Sequence, residues 1–366
     1  MNNNSRFIGI DLLKIISAYA VVYIHSQGGN YGDTGYWAAK IGIFFNIFAV
    51  PFFLAVSFYF LLKKIYSDNK GYSLTARLKF LALPYVVWTL IYLLFRLVKY
   101  LTHNEISKML TLFGDPIAIL FLGGAAVQLY FIPLLISGII CFNIVNRIIN
   151  NSLFYDLKII VLLASLSIGI YELILDTGNA FHLGKNLAFI NLINSTIPEL
   201  NSNQIIRLLL VELSWFLRCL PYIFIAMILN HPVLNRIILK LSNKYIAIFF
   251  FLAFFIHVYS VFCNLIFPPF INEIIITYLY VFFSILLSNK MSDNYWLKNM
   301  SVCSFGIYLI HHLLVEFIRP VIYKFYPGSI TLITVSTCAT ISFLLSWLFV
   351  FYLRKYTKAR VLLFGN

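Results

Sequence analysis

Three ionisable side chains interrupt one of the most apolar stretches of this chain. Asp11–Ser26 reads DLLKIISAYAVVYIHS, with Asp11, Lys14 and His25 set among aliphatic residues. Wound as an α-helix at ~100° per residue, the segment puts Lys14 about 60° and His25 about 40° from Asp11 around the axis. All three then share one stripe, with Ala18 and Val22 between them. His25 stands roughly 16 Å beyond Lys14 along the axis. The bland reading is an interfacial Asp11–Lys14 ion pair, with Lys14 snorkelling outward and His25 bonded to a carbonyl. The functional reading is a polar stripe facing a helix bundle, because ionisable groups inside membrane spans mark pathways and reaction sites. The shared stripe favours the second.

Other polar groups lie in apolar surroundings. In SFGIYLIHHLLVEFIRP, Tyr308 and His311 share a face at i,i+3, while His312, Glu316 and Arg319 read as a structural ladder on another. ELSWFLRCLPY buries Arg218, whose expected partner is Glu212, Glu172 or a bound anion. AVPFFLAVSFYF carries Pro51, a kink signal, and Ser57 six residues later. The connection KKIYSDNKGYSLTARLKF, with Lys63, Lys64, Lys70, Arg77 and Lys79, either fixes topology or holds phosphates. It has no Gly-rich cradle, so ATP hydrolysis has no support. His257 reads as a bonded core histidine, and His103, His182 and His231 as solvated loop residues. The five cysteines are scattered, which indicates neither a disulfide framework nor a zinc site.

The elements that must position these groups are membrane helices. Of 366 residues 61% are hydrophobic and 11% charged, with a mean hydropathy of +0.89. Apolar runs long enough to cross ~30 Å of hydrocarbon recur along the chain. The expected fold is all-α and polytopic, with about ten transmembrane helices near 8–26, 40–62, 80–101, 128–146, 159–175, 207–230, 245–263, 272–288, 305–322 and 330–353. Asp11 and Lys14 break the first run, and no small-residue cleavage site follows, so it reads as a span and not a signal peptide. With the N-terminus inside, 17 of the 27 Lys and Arg fall in cytoplasmic connections and 8 on the other side, with Lys14 and Arg218 inside spans. That bias places both termini in the cytoplasm. The net charge of +14 is spread over short loops, which argues against nucleic acid. We expect a single integral domain over 1–366 without a soluble appendage. Its longest non-membrane stretches, 102–127 and 176–206, would lie outside. Asn- and Ile-rich usage points to a bacterial source, hence to a multi-pass protein of the cytoplasmic membrane.

Six segments in order resemble the acyltransferase 3 family of integral membrane acyltransferases. RFIGIDLLKIISAYAVVYIHS, with Arg6, Asp11, Lys14 and His25, is similar to an opening Arg…Asp-x-x-(Arg/Lys)…His motif. VPFFLAVS is similar to Pro-x-Phe-Phe-x-x-Ser-Gly, with Phe58 standing where the glycine is usual. RLKFLALPYVVW resembles the third-helix entrance, with Phe80 in place of the second arginine and Lys79 beside it. VQLYFIPLLI resembles the fourth-span segment, with Gln128 for the frequent histidine. FLRCLPYIFIAMIL and SFGIYLIH are similar to the late Arg-x-x-Pro and Gly-x-Tyr-Leu-x-His segments. The resemblance covers Arg6 to about Arg354.

It implies transfer of an acyl group, usually acetyl from cytoplasmic acetyl-CoA, to a hydroxyl of an extracytoplasmic glycan. His25 is then the expected general base or acyl carrier, with Asp11 and Lys14 shaping the same channel. Arg77 and Lys79 are expected to bind the donor phosphates together with Lys14, and Ser57, Arg218, Tyr308 and His311 to line the pocket. The expected partners are the bilayer, an acyl-CoA and a glycan acceptor, with no metal. The competing expectation is a glycan-lipid or small-solute transporter, since intramembrane charges suit that too. Against it, no inverted repeat or matched pair of broken helices is visible.

Overall fold

A computed structural model describes residues 6–28, 33–67, 73–150, 156–182, 185–197, 200, 202–240, 243–327 and 330–365. Helices α1 (Ile8–Ser26), α2 (Tyr36–Ser67) and α3 (Leu74–Thr102) are followed by two short ones, α4 (Ile106–Phe113) and α5 (Pro116–Phe121). A 3₁₀ turn, Val127–Tyr130, leads into α6 (Phe131–Asn150) and then α7 (Leu157–Asp176). A small antiparallel hairpin, β1 (Ala180–His182) with β2 (Lys185–Leu187), precedes α8 (Ile190–Thr196) and α9 (Gln204–Asn230). Next come α10 (Pro232–Lys240) and α11 (Asn243–Phe262). A π-helical turn, Phe270–Ile275, opens α12 (Ile276–Ser288), before α13 (Tyr295–Phe325), α14 (Leu332–Leu353) and α15 (Thr357–Phe364).

Among the described residues, 10 helices are long and apolar enough to cross a membrane, one at each expected span. The protein is an all-α, multi-pass membrane protein. Both α2 and α13 outrun the expected limits, at 32 and 31 residues, and α2 continues through Pro51. Helix starts are set by side chains that accept from otherwise unpaired N–H groups. Ser73 does this for α3, Asp156 for α7, Asn294 for α13 and Thr331, in a capping box with Thr334, for α14.

The contacts divide the chain into two compact units. The first comprises Met1–Ser67 and Leu229–Tyr356. Here α1 packs against α2, α12, α13 and α14. Gly9 lets α1 and α12 approach closely, since a Cβ there would stand 2.2 Å from the Ser284 carbonyl oxygen. The Gly9 N–H donates to Ser288 Oγ at 3.0 Å. Lys40, buried on α2, donates to the Val261 carbonyl (2.8 Å) and to Asn264 Oδ1 (2.7 Å), which caps the last turn of α11 with a cation. His257 stacks on Phe44 at 3.8 Å between centroids. Its ring nitrogens bond the Phe44 carbonyl (2.9 Å) and the Tyr280 hydroxyl (3.1 Å), as a core histidine must be bonded.

The second unit comprises Asp68–Ile228 and Thr357–Asn366. The stretch 102–127 is folded onto α3. Tyr85 donates to the Ile119 carbonyl (3.1 Å) and accepts from the Gly123 N–H (3.0 Å), while Arg96 Nε donates to the Ala125 carbonyl (2.8 Å). Tyr100, Leu112 and Ile119 close an apolar cluster between α3, α4 and α5. Asp115, the N-cap of α5, also accepts from Arg207 in the first turn of α9. Both partners are buried, the Arg207 side chain to 3% exposure. Removing one member of such a pair leaves the other charge uncompensated, at a cost of ~3–5 kcal/mol. Arg207→Met should therefore lower thermal stability in detergent markedly. Adding Asp115→Leu should recover much of the loss, and purely additive effects of the two substitutions would refute the pairing.

Candidate functional site

His25 sits in the last turn of α1, where helix carbonyls lack intrahelical donors. In the first unit α13 supplies them. Arg319 Nη1 donates to the His25 carbonyl at 3.2 Å, and Tyr323 Oη reaches the Ser26 carbonyl at 3.4 Å. Arg319 Nη2 is held in turn by Glu316 Oε1 at 2.9 Å. His312, Glu316 and Arg319 were expected to form a structural ladder. The Glu316–Arg319 step is present, and its guanidinium ends on the backbone of His25.

The His25 ring lies beside two further imidazoles of α13, the three forming a triangle. Its centroid is 5.2 Å from that of His311 and 5.1 Å from that of His312. Tyr308 stands 5.9 Å from His311, as their i,i+3 spacing indicates. His311 is completely buried, and its Nδ1 lies 2.7 Å from the Tyr308 carbonyl and 3.2 Å from that of Ile307. A carbonyl only accepts, so Nδ1 carries the proton and Nε2 keeps a lone pair. That Nε2 has no hydrogen-bond partner among the described residues. Such a group can accept a proton or meet an electrophile.

Asp11 and His25 both face α13, but from opposite ends of α1. Fourteen residues separate them, about 21 Å along the axis, so Asp11 does not share reacting atoms with His25. Its carboxylate accepts from Arg6 and, at 2.5 Å, from Ser301 Oγ. Arg6 also donates to the Lys298 carbonyl at 3.3 Å. Asp11, held by Arg6 and Ser301, thus fixes the first turn of α1. The Lys14 ammonium stands 5.1 Å over the Phe60 ring of α2, and Lys63 stands 3.8 Å over Phe7. Between the two ends Ala18 and Val22 are fully buried, so this face of α1 is apolar in its middle. Ser57 is half-buried on α2.

The remaining expected residues belong to the second unit. Arg77, half-buried in the first turn of α3, has its guanidinium carbon 5.5 Å over the Phe80 ring. Phe80 packs at Gly365, whose positive φ of 78° suits glycine and where a Cβ would meet the Phe80 carbonyl oxygen at 2.2 Å. Trp88 Nε1 binds the Leu363 carbonyl nearby at 2.9 Å, so α15 is seated on α3. The position of the usual second arginine is thus used for packing. Lys79 is exposed. Arg218 lies 5.7 Å over the Tyr171 ring, and Glu212 accepts from Ser137 Oγ at 2.5 Å. Gln128 is buried at the start of the fourth span. Among the described residues no three His, Cys, Asp or Glu side chains converge as metal ligands.

Sequence reasoning missed the capping of α1 by Arg319 and the approach of His312 to His25. The signal was present in HHLLVEFIRP, whose ionisable groups recur at i,i+4 and i,i+3 along one helix face, but nothing local names the facing helix. Removing the guanidinium should fray the end of α1. We expect Arg319→Ala to speed amide exchange over residues 22–26 roughly tenfold, about 1.4 kcal/mol, the net worth of one hydrogen bond to a charged group. The exposed Phe317→Ala should leave those amides unchanged. Equal exchange in all three proteins would dismiss the capping role.

A family model described as an acyltransferase domain matches residues 7–363. No curated protein matches the chain. No solved structure matches it. The matched range takes in both imidazole-bearing helices, the basic entrance of α3 and nearly all the rest. The chain belongs to the acyltransferase 3 family of membrane acyltransferases.

Proposed function

We propose that this protein moves an acetyl or related acyl group from cytoplasmic acetyl-CoA to a hydroxyl of an extracytoplasmic cell-surface polysaccharide or glycolipid. The observation that carries the reading is the placement of His25. A lone imidazole at the end of an apolar helix could point into lipid, whereas this one is turned onto α13 beside His311. Sugar hydroxyls are poor nucleophiles at neutral pH, and a neutral imidazole within reach of one can take its proton as the oxygen attacks a thioester. The same ring can instead carry the acyl group between two transfers.

Donor and acceptor belong to opposite sides of a bacterial cytoplasmic membrane in this reading. The positive-inside bias puts Arg6, Lys63 and Lys64 on the cytoplasmic side with Arg77 and Lys79, and His25 toward the outer one. Arg77 and Lys79 are the proposed ligands of the CoA phosphates, Arg77 by the planar fork that suits them. Arg6 and Lys14 lie at the Asp11 end of α1 and add positive charge there. Tyr308 and His311 are proposed to line the reaction site beside His25, together with Ser57 of the same unit, and Arg218 is a proposed substrate contact within the second unit.

Labelled acetyl-CoA supplied to membrane vesicles tests the reading. Label should appear on glycan, and acceptor transport without labelling would instead indicate a transporter. His25→Ala should reduce labelling by about 10²–10⁴-fold, the usual worth of a positioned acid–base group, at unchanged protein level. Arg77→Glu should raise the acetyl-CoA concentration needed for half-maximal rate about tenfold or more and leave the acceptor requirement nearly as it was. An unaltered donor requirement would make the basic entrance a topology signal only.

A further inference from the structure

His311 presents a chemical surplus. One base suffices to take a proton from a hydroxyl, yet α1 and α13 bring two imidazoles to 5.2 Å between centroids. The two rings are not equivalent. His311 is fully buried, its proton is fixed on Nδ1 by the Tyr308 and Ile307 carbonyls, and its Nε2 has no partner among the described residues. Leaving a buried polar atom unpaired costs about 1–3 kcal/mol. A purely structural histidine avoids that cost, as His257 does by bonding through both nitrogens.

We infer that the two imidazoles divide the reaction, with His25 carrying the acyl group and His311 holding the proton. The inference rests on the reading in which His25 meets the thioester. In the first half-reaction a ring nitrogen of neutral His25 bonds to the thioester carbonyl carbon. The C–S bond breaks, and the sulfur leaves with the electron pair. The proton on the other His25 nitrogen goes to the thiolate, which leaves as free thiol, and His25 remains as a neutral acyl-imidazole. In the second half-reaction the acceptor oxygen attacks the acyl carbon as its proton passes to His311 Nε2. The C–N bond breaks, and His311 returns the proton to the freed His25 ring. Both rings end as they began, and thioester plus alcohol become ester plus thiol.

Fixing Nδ1–H on a carbonyl suits this role. When Nε2 is protonated the imidazolium charge is shared with that hydrogen bond, and the ring stays in one orientation. Because donor and acceptor come from opposite sides, a covalent carrier also removes the need for both to be present at once.

The test needs no acceptor. Purified protein in nanodiscs is mixed with acetyl-CoA labelled in the acetyl group, and thiol release and protein-bound label are followed. The wild type should release about one equivalent of thiol in a burst, become labelled, and lose the label slowly to water. His311→Asn keeps an N–H donor for the backbone carbonyls and lacks Nε2. It should be labelled to the same level but hold the label about 10²-fold longer, and hydroxylamine, which needs no base, should discharge both proteins equally fast. His25→Ala should bind no label. A structural role for His311 would lower the extent of labelling without prolonging it, and that result overturns the inference. Label lost at wild-type rate from His311→Asn does so too. Transfer to extracted surface glycan by a wild type that shows no burst would refute the carrier while sparing the acyltransferase, whereas no use of acetyl-CoA with or without that glycan would remove the proposed donor itself.

Discussion

A helix that ends buried in a bundle leaves carbonyl oxygens without intrahelical donors, and some other part of the protein has to supply them. In the first unit that requirement decides where several of the ionisable side chains go. Arg319 and Tyr323 of α13 cover the end of α1, and Lys40 of α2 covers the end of α11. Each is a cation or hydroxyl on one helix aimed at the backbone of another, so each fixes two helices in register as well as satisfying a dipole. The pairing of Asp11 with Arg6 and Ser301 does the same for the opposite end of α1.

The placing of the reactive imidazoles follows from that scaffold. One helix, α13, bears the donors that hold the His25 backbone and also the ring that faces the His25 side chain. The three-residue step from Tyr308 to His311 and the eight residues from His311 to Arg319 are therefore spacings along a single rigid rod. The distance between the two rings is set by helix geometry more than by loops. The same rod fixes the tautomer of His311, because its Nδ1 bonds carbonyls of its own preceding turn.

The sequence disclosed all ten spans, although α3 and α13 begin six and ten residues before their expected starts, because a run of apolar side chains with a basic margin has few alternative fates. It disclosed His257 as a bonded core residue for a similar reason, since an isolated histidine among phenylalanines must find partners. It did not disclose the partners that hold Asp11 at the start of α1. Arg6, just before the helix, and Ser301, 290 residues away along the chain, both reach its carboxylate. Nor did it reveal the short elements in 102–127 and 176–206. Helices of six to eight residues and strands of three are too brief for a hydrophobic period to register, and they are held by contacts distant in sequence such as Asp115–Arg207. The meeting of His25 with His311 was hidden because facing helices are paired by shape, which no local pattern encodes. Phe80 was legible as a departure, yet only the structure shows it packing at Gly365.

Gly9 carries a consequence for how this bundle can work. Its missing side chain brings α1 so near to α12 that their backbones interlock, and α1 is tethered again at its far end by Arg319. A rod bolted at both extremities cannot slide like a piston to ferry a reactive ring from one leaflet to the other. The imidazoles are anvils, and any travelling within a turnover belongs to the molecules that visit them.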